Sequence, residues 1–316
     1  MFDIQQFLIS KQIGYRKEGS NVGRKEINIC CPFCAESKYH CGINSGKNVY
    51  HCWVCGVKGD LPKLISKLLA ISYIEAKEII SPTSELKKVL EERNKVIEEP
   101  IIIPNKDFKL PKFTNLFIEN STNDWQVIAY QFLKEKYSLS WKNIVNAKLH
   151  YCYFGNKYKN SIIIPIYKNE ILINYLGRCW DKNSKSRYNN CPNEEAVLNI
   201  HRTLYNIDSI KIGQDLIILV EGVFDCIKVG LDIAVASFGT EVSQEQKNLL
   251  IGLKPKKLII LADNDPNNPN TTRKAQKLCD YLSPFLITKC IEIPFDGKDP
   301  ADLNRKEIDN LLNDML

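Results

Sequence analysis

LIILVEGVFD (residues 216–225) and LIILADND (residues 258–265) are the two stretches from which the fold can be deduced. Each is an apolar run, too short for a helix and rich in leucine and β-branched residues, which is typical of a buried strand. Helices are expected after both, in FDCIKVG and over residues 273–282. Strands that alternate with helices predict a parallel sheet, whose strands end together at a binding crevice. We therefore expect four acids to meet at that edge: Glu221, Asp225, Asp263 and Asp265.

The expected cluster of carboxylates predicts a divalent metal site. Carboxylates that lie close together repel one another unless a cation lies among them. Oxygen ligands that leave positions open for water and phosphate suit magnesium or manganese, and such metals serve phosphoryl transfer. The alternative is that each acid is an ordinary helix cap or turn residue. Glu-Gly-x-x-Asp followed by Asp-x-Asp, each behind an apolar strand, favours the metal site.

Four motifs of this region resemble, in order, the Toprim domain of DnaG-type primases of bacteria and bacteriophages. They are VEGVFD, VASFGT (residues 235–240), LADND and GKDPADL (residues 297–303). The resemblance implies that Glu221, Asp263 and Asp265 are catalytic and hold the metals. It also implies further acids of the metal cluster and a phosphate-contacting lysine, which are Asp225, Asp299, Asp302 and Lys298. The sequence departs from the family at PNNPNTT (residues 266–272), where the family has a short Ala-Gly step.

Composition and charge place the chain among ordinary globular proteins. It has 316 residues, 44% of them hydrophobic and 25% charged, which suffices for two or three domains. Neither an export signal nor a run of 18 apolar residues is found, so we expect a cytoplasmic protein without a membrane span. Residues 140–205 carry 10 basic and 4 acidic residues, whereas residues 206–316 carry 13 and 17. A basic middle segment and an acidic C-terminal segment suit a polymer of phosphates that binds along the basic segment and reacts at the acidic one. The alternative is a chance division of surface charge.

The cysteine spacing predicts a structural zinc site. The order is Cys31-x-x-Cys34, 17 intervening residues, then Cys52-x-x-Cys55, which fits a four-cysteine site. Each pair forms a tight knuckle, and four thiolates close a tetrahedron with no open position. In a reducing compartment this pattern favours a metal over disulfides.

Some neighbours of these cysteines leave alternatives open. A shift of the register by one residue would make Cys30 or His51 a ligand, whereas His40 and Cys41 are assigned no role. Trp53, between lysines that include Lys58, is a candidate for stacking on a base of a single strand, with Lys58 on its backbone. Packing of Trp53 against the rest of the domain is the alternative.

The same segment resembles the zinc-binding domain of primases, especially the four-cysteine version in phage proteins. The residues that carry the resemblance are CPFC and YHCWVCGVKGD. It implies a domain that helps to recognise the template sequence at which a primer begins.

Between the two ends, the sequence predicts a hairpin and a basic surface. SIIIPIY (residues 161–167) and EILINYLGR (residues 170–178) predict two strands, and helices are predicted over residues 125–137, with Asp124 as cap, and after Ser140. Basic residues among small polar ones then predict an exposed phosphate-contacting strip, with ordinary surface charge as the alternative. The strip consists of Arg178, Lys182, Lys185, Arg187 and Arg202.

This middle segment also resembles the RNA-polymerase domain of the primase family. The resemblance rests on Ile-Pro-Ile, Gly-Arg and Arg-Tyr-Asn. It implies that Arg178, Arg187 and Asn189 contact template or incoming nucleotide.

The predicted fold class is multidomain. A small antiparallel zinc ribbon and a linker precede an α+β RNA-polymerase-type domain, which leads into an α/β Toprim domain with a central parallel sheet. The predicted bounds are residues 1–80 for the zinc domain, 81–111 for the linker, 112–210 for the N-terminal part of the polymerase domain and 211–316 for Toprim. Asp60 is predicted to cap one helix of the zinc domain, and residues 73–80 to form another.

The resemblances together imply a DNA primase. It would join ribonucleoside triphosphates into short RNA primers on single-stranded DNA, with one structural zinc and one to three Mg²⁺ or Mn²⁺. No G-x-x-x-x-G-K-[ST] loop occurs, so a separate replicative helicase is the implied partner. The alternatives are a Toprim nuclease and a non-catalytic single-stranded-DNA-binding replication accessory protein. The zinc ribbon disfavours the first, and the retained acids disfavour the second.

Overall fold

The structure is a computed structural model, and it describes residues 2–19, 22–23, 26–81, 107–155, 157–264, 270–294 and 299–313. The chain divides into two compact units, Met1–Lys95 with Leu282–Ile287 and Val96–Tyr281 with Thr288–Leu316. Asp265 and Lys298 lie outside the described residues. The same is true of residues 85–96 of the linker, where the sequence also favours a helical turn. The bounds of the four predicted domains stay a prediction.

The first unit is built on an antiparallel sheet of five short strands in chain order. These are β1 (Tyr15–Arg16), β2 (Glu26–Ile29), β3 (Cys41–Asn44), β4 (Val49–Cys52) and β5 (Lys58–Asp60). Ile29, Ile43 and Tyr50 of the sheet belong to one buried core with Leu64 and Ile65. This arrangement confirms the predicted small antiparallel zinc ribbon.

Within its described residues, the first unit also contains the helices α1 (Ile4–Ser10), α2 (Leu61–Leu69) and α3 (Tyr73–Ile80). As predicted, Asp60 caps α2, since its carboxylate accepts the N–H of Lys63 at 3.2 Å and Pro62 lies in the first turn. Ser72 and Glu75 form a reciprocal capping box at the start of α3.

The second unit begins with another antiparallel sheet of five strands, in the order β10-β9-β8-β7-β6. These are β6 (Thr114–Leu116), β7 (His150–Cys152), β8 (Ser161–Lys168), β9 (Ile171–Cys179) and β10 (Tyr188–Asn190). The long pair β8 and β9 is the hairpin predicted from the sequence.

Two helices accompany this sheet, α4 (Asp124–Tyr137) and α5 (Trp141–Asn146). The prediction that Asp124 caps α4 was wrong, because the side chain of Asn123 accepts the N–H of Gln126 at 3.1 Å and Asp124 is already helical. The second helix begins where the sequence predicts it, and Ser140 is its cap.

The third sheet is parallel and has four strands, in the order β12-β11-β13-β14. These are β11 (Leu216–Val220), β12 (Ala234–Ala236), β13 (Lys257–Ala262) and β14 (Thr288–Glu292), and the helices are α6 (Val223–Val229), α7 (Gln244–Gly252), α8 (Asn270–Leu282) and α9 (Arg305–Asn313). The parallel sheet that the strand–helix alternation predicts is thereby confirmed. Because the strands run in one direction, the residues that follow them lie at one edge.

In the part of the chain that the structure describes, no helix has the length and apolar character needed to cross a membrane.

Candidate metal centres

Four thiols of the first unit converge as a metal site requires. The sulfur atoms of Cys31, Cys34, Cys52 and Cys55 all lie within 4.8 Å of one another. Two of the distances, Cys31 Sγ to Cys55 Sγ and Cys34 Sγ to Cys52 Sγ, are 3.9 Å. A tetrahedral zinc ion with bonds of about 2.3 Å requires sulfur–sulfur edges of about 3.8 Å. The cluster therefore fits zinc, with no position left over for a reactant.

Both knuckles have the same backbone geometry. The N–H of Ala35 donates to the carbonyl of Cys31 at 2.9 Å, and the N–H of Gly56 donates to that of Cys52 at 3.0 Å. Ala35 and Gly56 both have a left-handed backbone, with φ of 53° and 71°. The repeated turn explains why the two Cys-x-x-Cys pairs present their thiols in the same way.

Glu36 holds the first knuckle in place. Its carboxylate accepts the backbone N–H groups of Cys31 at 2.8 Å, His40 at 3.0 Å and Lys38 at 2.6 Å. The ring Nδ1 of His40 lies 3.1 Å from the same carboxylate. These hydrogen bonds lower the pKa of Glu36 against the opposing effect of burial, so it remains an acceptor beside the zinc ligands. No spacing pattern in the sequence identifies Glu36 as part of the zinc site.

The neighbouring cysteines and histidines do not join the cluster. Among the described residues, the four thiols are the group of three or more potential ligands that satisfies metal-binding geometry. Neither Cys30 nor His51 belongs to it, so the shifted register has no support. Cys41 is fully buried and pairs with Cys52 across β3 and β4.

Trp53 lies on the surface of the second knuckle. It is 69% exposed, and the ring of His51 contacts it edge-on at 4.3 Å. Lys58, in β5, is also exposed. Because Trp53 is largely in solvent, the alternative that it serves mainly to pack the domain is not favoured.

Acidic residues follow the strands of the parallel sheet. Glu221 comes directly after β11, and Asp263 directly after β13. Asp225 lies in the first turn of α6. Asp299 caps a short 3-10 helix, Pro300–Asp302, whose last residue is Asp302. Each of the two side chains accepts the backbone N–H of the other, at 3.1 and 3.3 Å.

Asp225 is the buried centre of this group. One carboxylate oxygen accepts the N–H of Gly222 at 2.9 Å, and the other accepts the N–H of Ala301 at 3.1 Å. A Cβ atom at position 222 would collide with the carboxylate of Asp225. Glycine is therefore required in VEGVFD because the acid folds back over the start of its own helix.

The carboxyl groups perturb one another electrostatically. Burial raises the pKa of Glu221 to about 7, with a further contribution from Asp225. The pKa of Asp225 is well above its usual range because of burial and the charges of Asp299 and Asp263. Burial and Asp302 also raise the pKa of Asp299. Four acids thus share one region of low solvation, where a cation would stabilise their ionised forms.

Two lysines that the sequence analysis did not single out lie near the acids. The Nζ of Lys274, in α8, lies 3.1 Å from a carboxylate oxygen of Glu241 and 3.4 Å from the hydroxyl of Thr240, and its charge opposes the rise in the pKa of Glu221. The charge of Lys136 acts on Asp299 in the same sense. The sequence predicts a helix that contains Lys274, but the approach of Lys274 to Glu221 depends on how that helix packs in the fold.

The acids fit a divalent cation by their chemistry, since hard oxygen ligands suit magnesium or manganese. Among the described residues, however, no three carboxylates lie close enough together to ligate a single ion. Asp265, which the resemblance makes a ligand, lies outside those residues. The identity of the divalent metal is therefore a matter for proposal.

Arg178 is not part of an exposed strip, and that prediction was wrong. The residue is only 7% exposed, because β9 is buried from Ile173 to Cys179. Its guanidinium donates from Nε to the hydroxyl of Tyr137 at 2.8 Å, and from Nη1 to the carbonyls of Cys179 at 3.2 Å and Arg187 at 3.1 Å.

The other members of the basic strip are exposed, and they are Lys182, Lys185, Arg187 and Arg202. Asn189 is half-buried in β10, opposite Gly177. A Cβ atom at Gly177 would come within 2.9 Å of the ring of Tyr158 and 3.2 Å of the carbonyl oxygen of Asn189. Gly177 thus allows β10 to approach β9 closely, next to Arg178.

Two families match the chain, one at each end. Residues 2–96 match the family described as CHC2 zinc finger, and residues 218–304 match the family described as Toprim-like. The chain is 26% identical to the DNA primase of Clostridium acetobutylicum, over 95% of this chain and 54% of that protein. It is also 26% identical to the DNA primase of Thermotoga maritima, over 98% of this chain and 58% of that protein.

Nearly the whole chain is therefore similar to DnaG-type primases, with the CHC2 zinc finger match before the Toprim-like match. It spans between a half and three fifths of the length of these two primases. The CHC2 match assigns zinc to the four-cysteine cluster. The Toprim match falls on the parallel sheet and the acids at its edge.

Solved primase structures have the same fold. The zinc-binding and RNA polymerase domains of the Aquifex aeolicus primase align with 98% of this chain and 81% of that one, with 22% identity and a TM-score of 0.52. The RNA polymerase domain of the Mycobacterium tuberculosis primase, solved with double-stranded DNA, aligns with 61% of this chain and 74% of that one, with 20% identity and a TM-score of 0.50. At this identity the likeness concerns the fold.

Proposed function

We propose that the protein is a DNA primase, which synthesises short RNA primers on single-stranded DNA for replication. The observation that carries the proposal is the convergence of Glu221, Asp225, Asp263 and Asp299 at one edge of the parallel sheet. A region of low solvation with several carboxyl groups suits cations that bind phosphates. The relatives named DNA primase supply the reaction class.

In this proposal Glu221, Asp263 and Asp265 hold one to three Mg²⁺ or Mn²⁺ ions, with Asp225, Asp299 and Asp302 as further acids. When bound, such ions would supply the positive charge that stabilises an attacking 3'-hydroxyl and a leaving pyrophosphate. Asp225 holds α6 and the segment around Ala301 together, so that the acids on both keep their places.

The nucleic-acid contacts in this proposal lie in both units. Arg178, Arg187, Asn189 and Lys298 contact template or incoming ribonucleoside triphosphate. Trp53 and Lys58, both exposed, bind the single-stranded template beside the zinc site by stacking and charge. In this proposal four parts follow one another along the chain. They are the zinc domain (residues 1–80), the linker (81–111), the N-terminal part of the polymerase domain (112–210) and the Toprim domain (211–316). A separate replicative helicase is the proposed partner, and the cytoplasm of a bacterial or phage-infected cell is the proposed location.

The test is primer synthesis on single-stranded DNA with labelled ribonucleotides and magnesium or manganese. Asp263→Ala is compared with the wild type, and Asp232→Asn, an exposed acid away from the sheet edge, is the matched control. We expect short RNA products with the wild type and the control, and none with Asp263→Ala. A replicative helicase is added in a parallel set of reactions.

Two other outcomes select the rival functions. Degradation of DNA without primer synthesis, lost in Asp263→Ala, would identify a Toprim nuclease. Binding of single-stranded DNA with no product, with or without helicase, would identify an accessory protein.

A further inference from the structure

Arg178 is held by three hydrogen bonds yet retains one unused donor group. Nε donates to the hydroxyl of Tyr137, and Nη1 donates to two backbone carbonyls. Nη2 has no hydrogen-bonding partner among the residues that the structure describes. The guanidinium also lies 5.0 Å from the ring centre of Tyr188 and 5.6 Å from that of Phe132. Nη2 is not one of the buried polar atoms that lack a partner, so it is open to solvent. A fixed guanidinium with one donor group open to solvent can give an anion a directed hydrogen bond.

Tyr137 is the side chain that fixes this guanidinium. Its hydroxyl accepts from Nε at 2.8 Å, the nitrogen that orients the plane of the group. Its ring stacks on Phe224, with centres 3.9 Å apart and planes 12° from parallel. The Nζ of Lys228 donates to the backbone carbonyl of Tyr137 at 3.3 Å. Tyr137 is thus held from two sides by α6.

The stack joins Arg178 to the acidic edge of the parallel sheet. Phe224 precedes Asp225 in α6, and Asp225 is the buried centre of the carboxylate group. The charge of Asp299 also reaches Tyr137 and raises its pKa, although burial is the larger cause. Tyr137 therefore contacts both α6, the helix that carries Asp225, and the nearly buried guanidinium of Arg178.

We propose that Tyr137 is a positioning residue that fixes the Arg178 guanidinium so that Nη2 can bind a phosphate of a nucleoside triphosphate. The inference rests on the proposed function, because it assigns a role within that nucleotide site. Tyr137 does not touch the nucleotide itself. It acts because a planar guanidinium binds phosphate well only when its orientation is set.

The test removes the hydroxyl and keeps the ring. Tyr137→Phe preserves the stack on Phe224 but cannot accept from Nε. Tyr130→Phe is the matched control, since Tyr130 lies in the same helix, contacts Trp141 edge-on and has no part in the Arg178 contacts. Both changes are made in the full chain, alone and together with Arg178→Lys. Three quantities are measured: the KM and kcat for GTP in primer synthesis, the Kd of a fluorescent GTP analogue with Mn²⁺, and the urea midpoint of unfolding.

For Tyr137→Phe we expect KM and Kd to rise about tenfold, the worth of one hydrogen bond to a charged group. We expect kcat to stay near the wild type, and Tyr130→Phe to change nothing. The urea midpoint of Tyr137→Phe should fall, because Nε of Arg178 loses a buried acceptor. In the Arg178→Lys background Tyr137→Phe should have less than about a twofold effect, because the orientation it serves is already lost.

Other results would overturn the inference. Unchanged Kd and KM in Tyr137→Phe would show that the hydroxyl does not position Arg178. Equal effects of Tyr137→Phe on Kd and KM with and without Arg178→Lys would show that Tyr137 acts on the structure in general and not through Arg178. If the wild type bound GTP but made no primer, the proposed function would fail while the Kd series still decided the role of Tyr137. A wild type that bound no GTP would refute both.

Discussion

Asp225 accepts the backbone N–H of Ala301 at 3.1 Å across 76 residues of sequence. Its second oxygen accepts the N–H of Gly222 at 2.9 Å. The carboxylate therefore ties the first turn of α6 to the short 3-10 helix that follows the last strand of the parallel sheet. Two donors aimed at one buried acid stabilise its ionised form, in opposition to burial and the neighbouring carboxylates, which raise its pKa.

Asp225→Asn is expected to destabilise the protein although it removes a buried charge. An asparagine offers one acceptor oxygen, so its amino group would face one of the two backbone N–H groups. Loss of one buried hydrogen bond should lower the free energy of unfolding by about 1–3 kcal/mol. Urea unfolding measures this change, with the exposed Asp232→Asn as control. Equal or greater stability of Asp225→Asn would show that desolvation of the charge outweighs the two hydrogen bonds.

Glu221 should make the stability of the protein depend on pH when no divalent cation is added. Its pKa is about 7 in the folded state, against an ordinary value of 4.5. Between these values the folded protein binds a proton that the unfolded chain does not, so stability falls as the pH rises through this window. Glu221→Gln carries no charge and should melt a few degrees above the wild type at pH 8.

Thermal unfolding of both proteins at pH 5 and pH 8, in buffer free of added divalent cations, checks this prediction. The difference should nearly vanish at pH 5, where Glu221 is protonated. Glu119→Gln, at an exposed site outside the parallel sheet, is the control. If the melting temperatures of Glu221→Gln and the wild type differed by the same amount at pH 5 and pH 8, the prediction would be contradicted.

Patterns local in sequence predicted most of the fold. Apolar runs that end in acids indicated β11 and β13, and the Cys-x-x-Cys pairs indicated the zinc knuckles, because period and spacing carry that information directly. Arg178 was misjudged because its exposure depends on which elements cover β9. The two-residue alternation did place it on the face of the buried Leu176, a signal that its charge obscured.

Contacts between distant segments were beyond sequence reasoning. The stack of Tyr137 on Phe224 and the approach of Lys274 to Glu221 join elements from different sheets and helices. Neither residue spacing nor composition predicts which side chains from distant segments come into contact. The glycine of Glu-Gly-x-x-Asp, Gly222, is visible in the sequence, but the reason for a glycine there is that the carboxylate of Asp225 folds back over it.

Zinc content should follow the four thiols and no others. The wild type is expected to hold one zinc per chain, and Cys34→Ser to lose it, since three thiolates leave the tetrahedron open. Cys30→Ser should keep it, because Cys30 lies outside the cluster. Atomic absorption on the purified proteins gives the stoichiometry. Loss of zinc from Cys30→Ser would establish the shifted register instead.

Glu36→Ala should weaken zinc binding without removing a ligand. The carboxylate organises the first knuckle through the N–H groups of Cys31, Lys38 and His40. Loss of such a supporting group typically costs about 10–100-fold in metal affinity. Competition with a chromogenic chelator measures the affinity, and Glu18→Ala, an exposed acid of the same unit, should match the wild type. An unchanged affinity for zinc would show that the first knuckle keeps its geometry without the carboxylate of Glu36.

Trp53→Ala should weaken the binding of single-stranded DNA while zinc content stays at one per chain. Trp53 is 69% exposed and contributes little to the core, whereas stacking of one base on an aromatic ring is worth about 1–3 kcal/mol. Fluorescence anisotropy with labelled oligothymidine should show a Kd about tenfold higher. Val54→Ala is the matched control, because Val54 is 58% exposed in the same knuckle and offers no ring. If Val54→Ala weakened binding as much as Trp53→Ala, the knuckle would act as an apolar surface and not by stacking on a base.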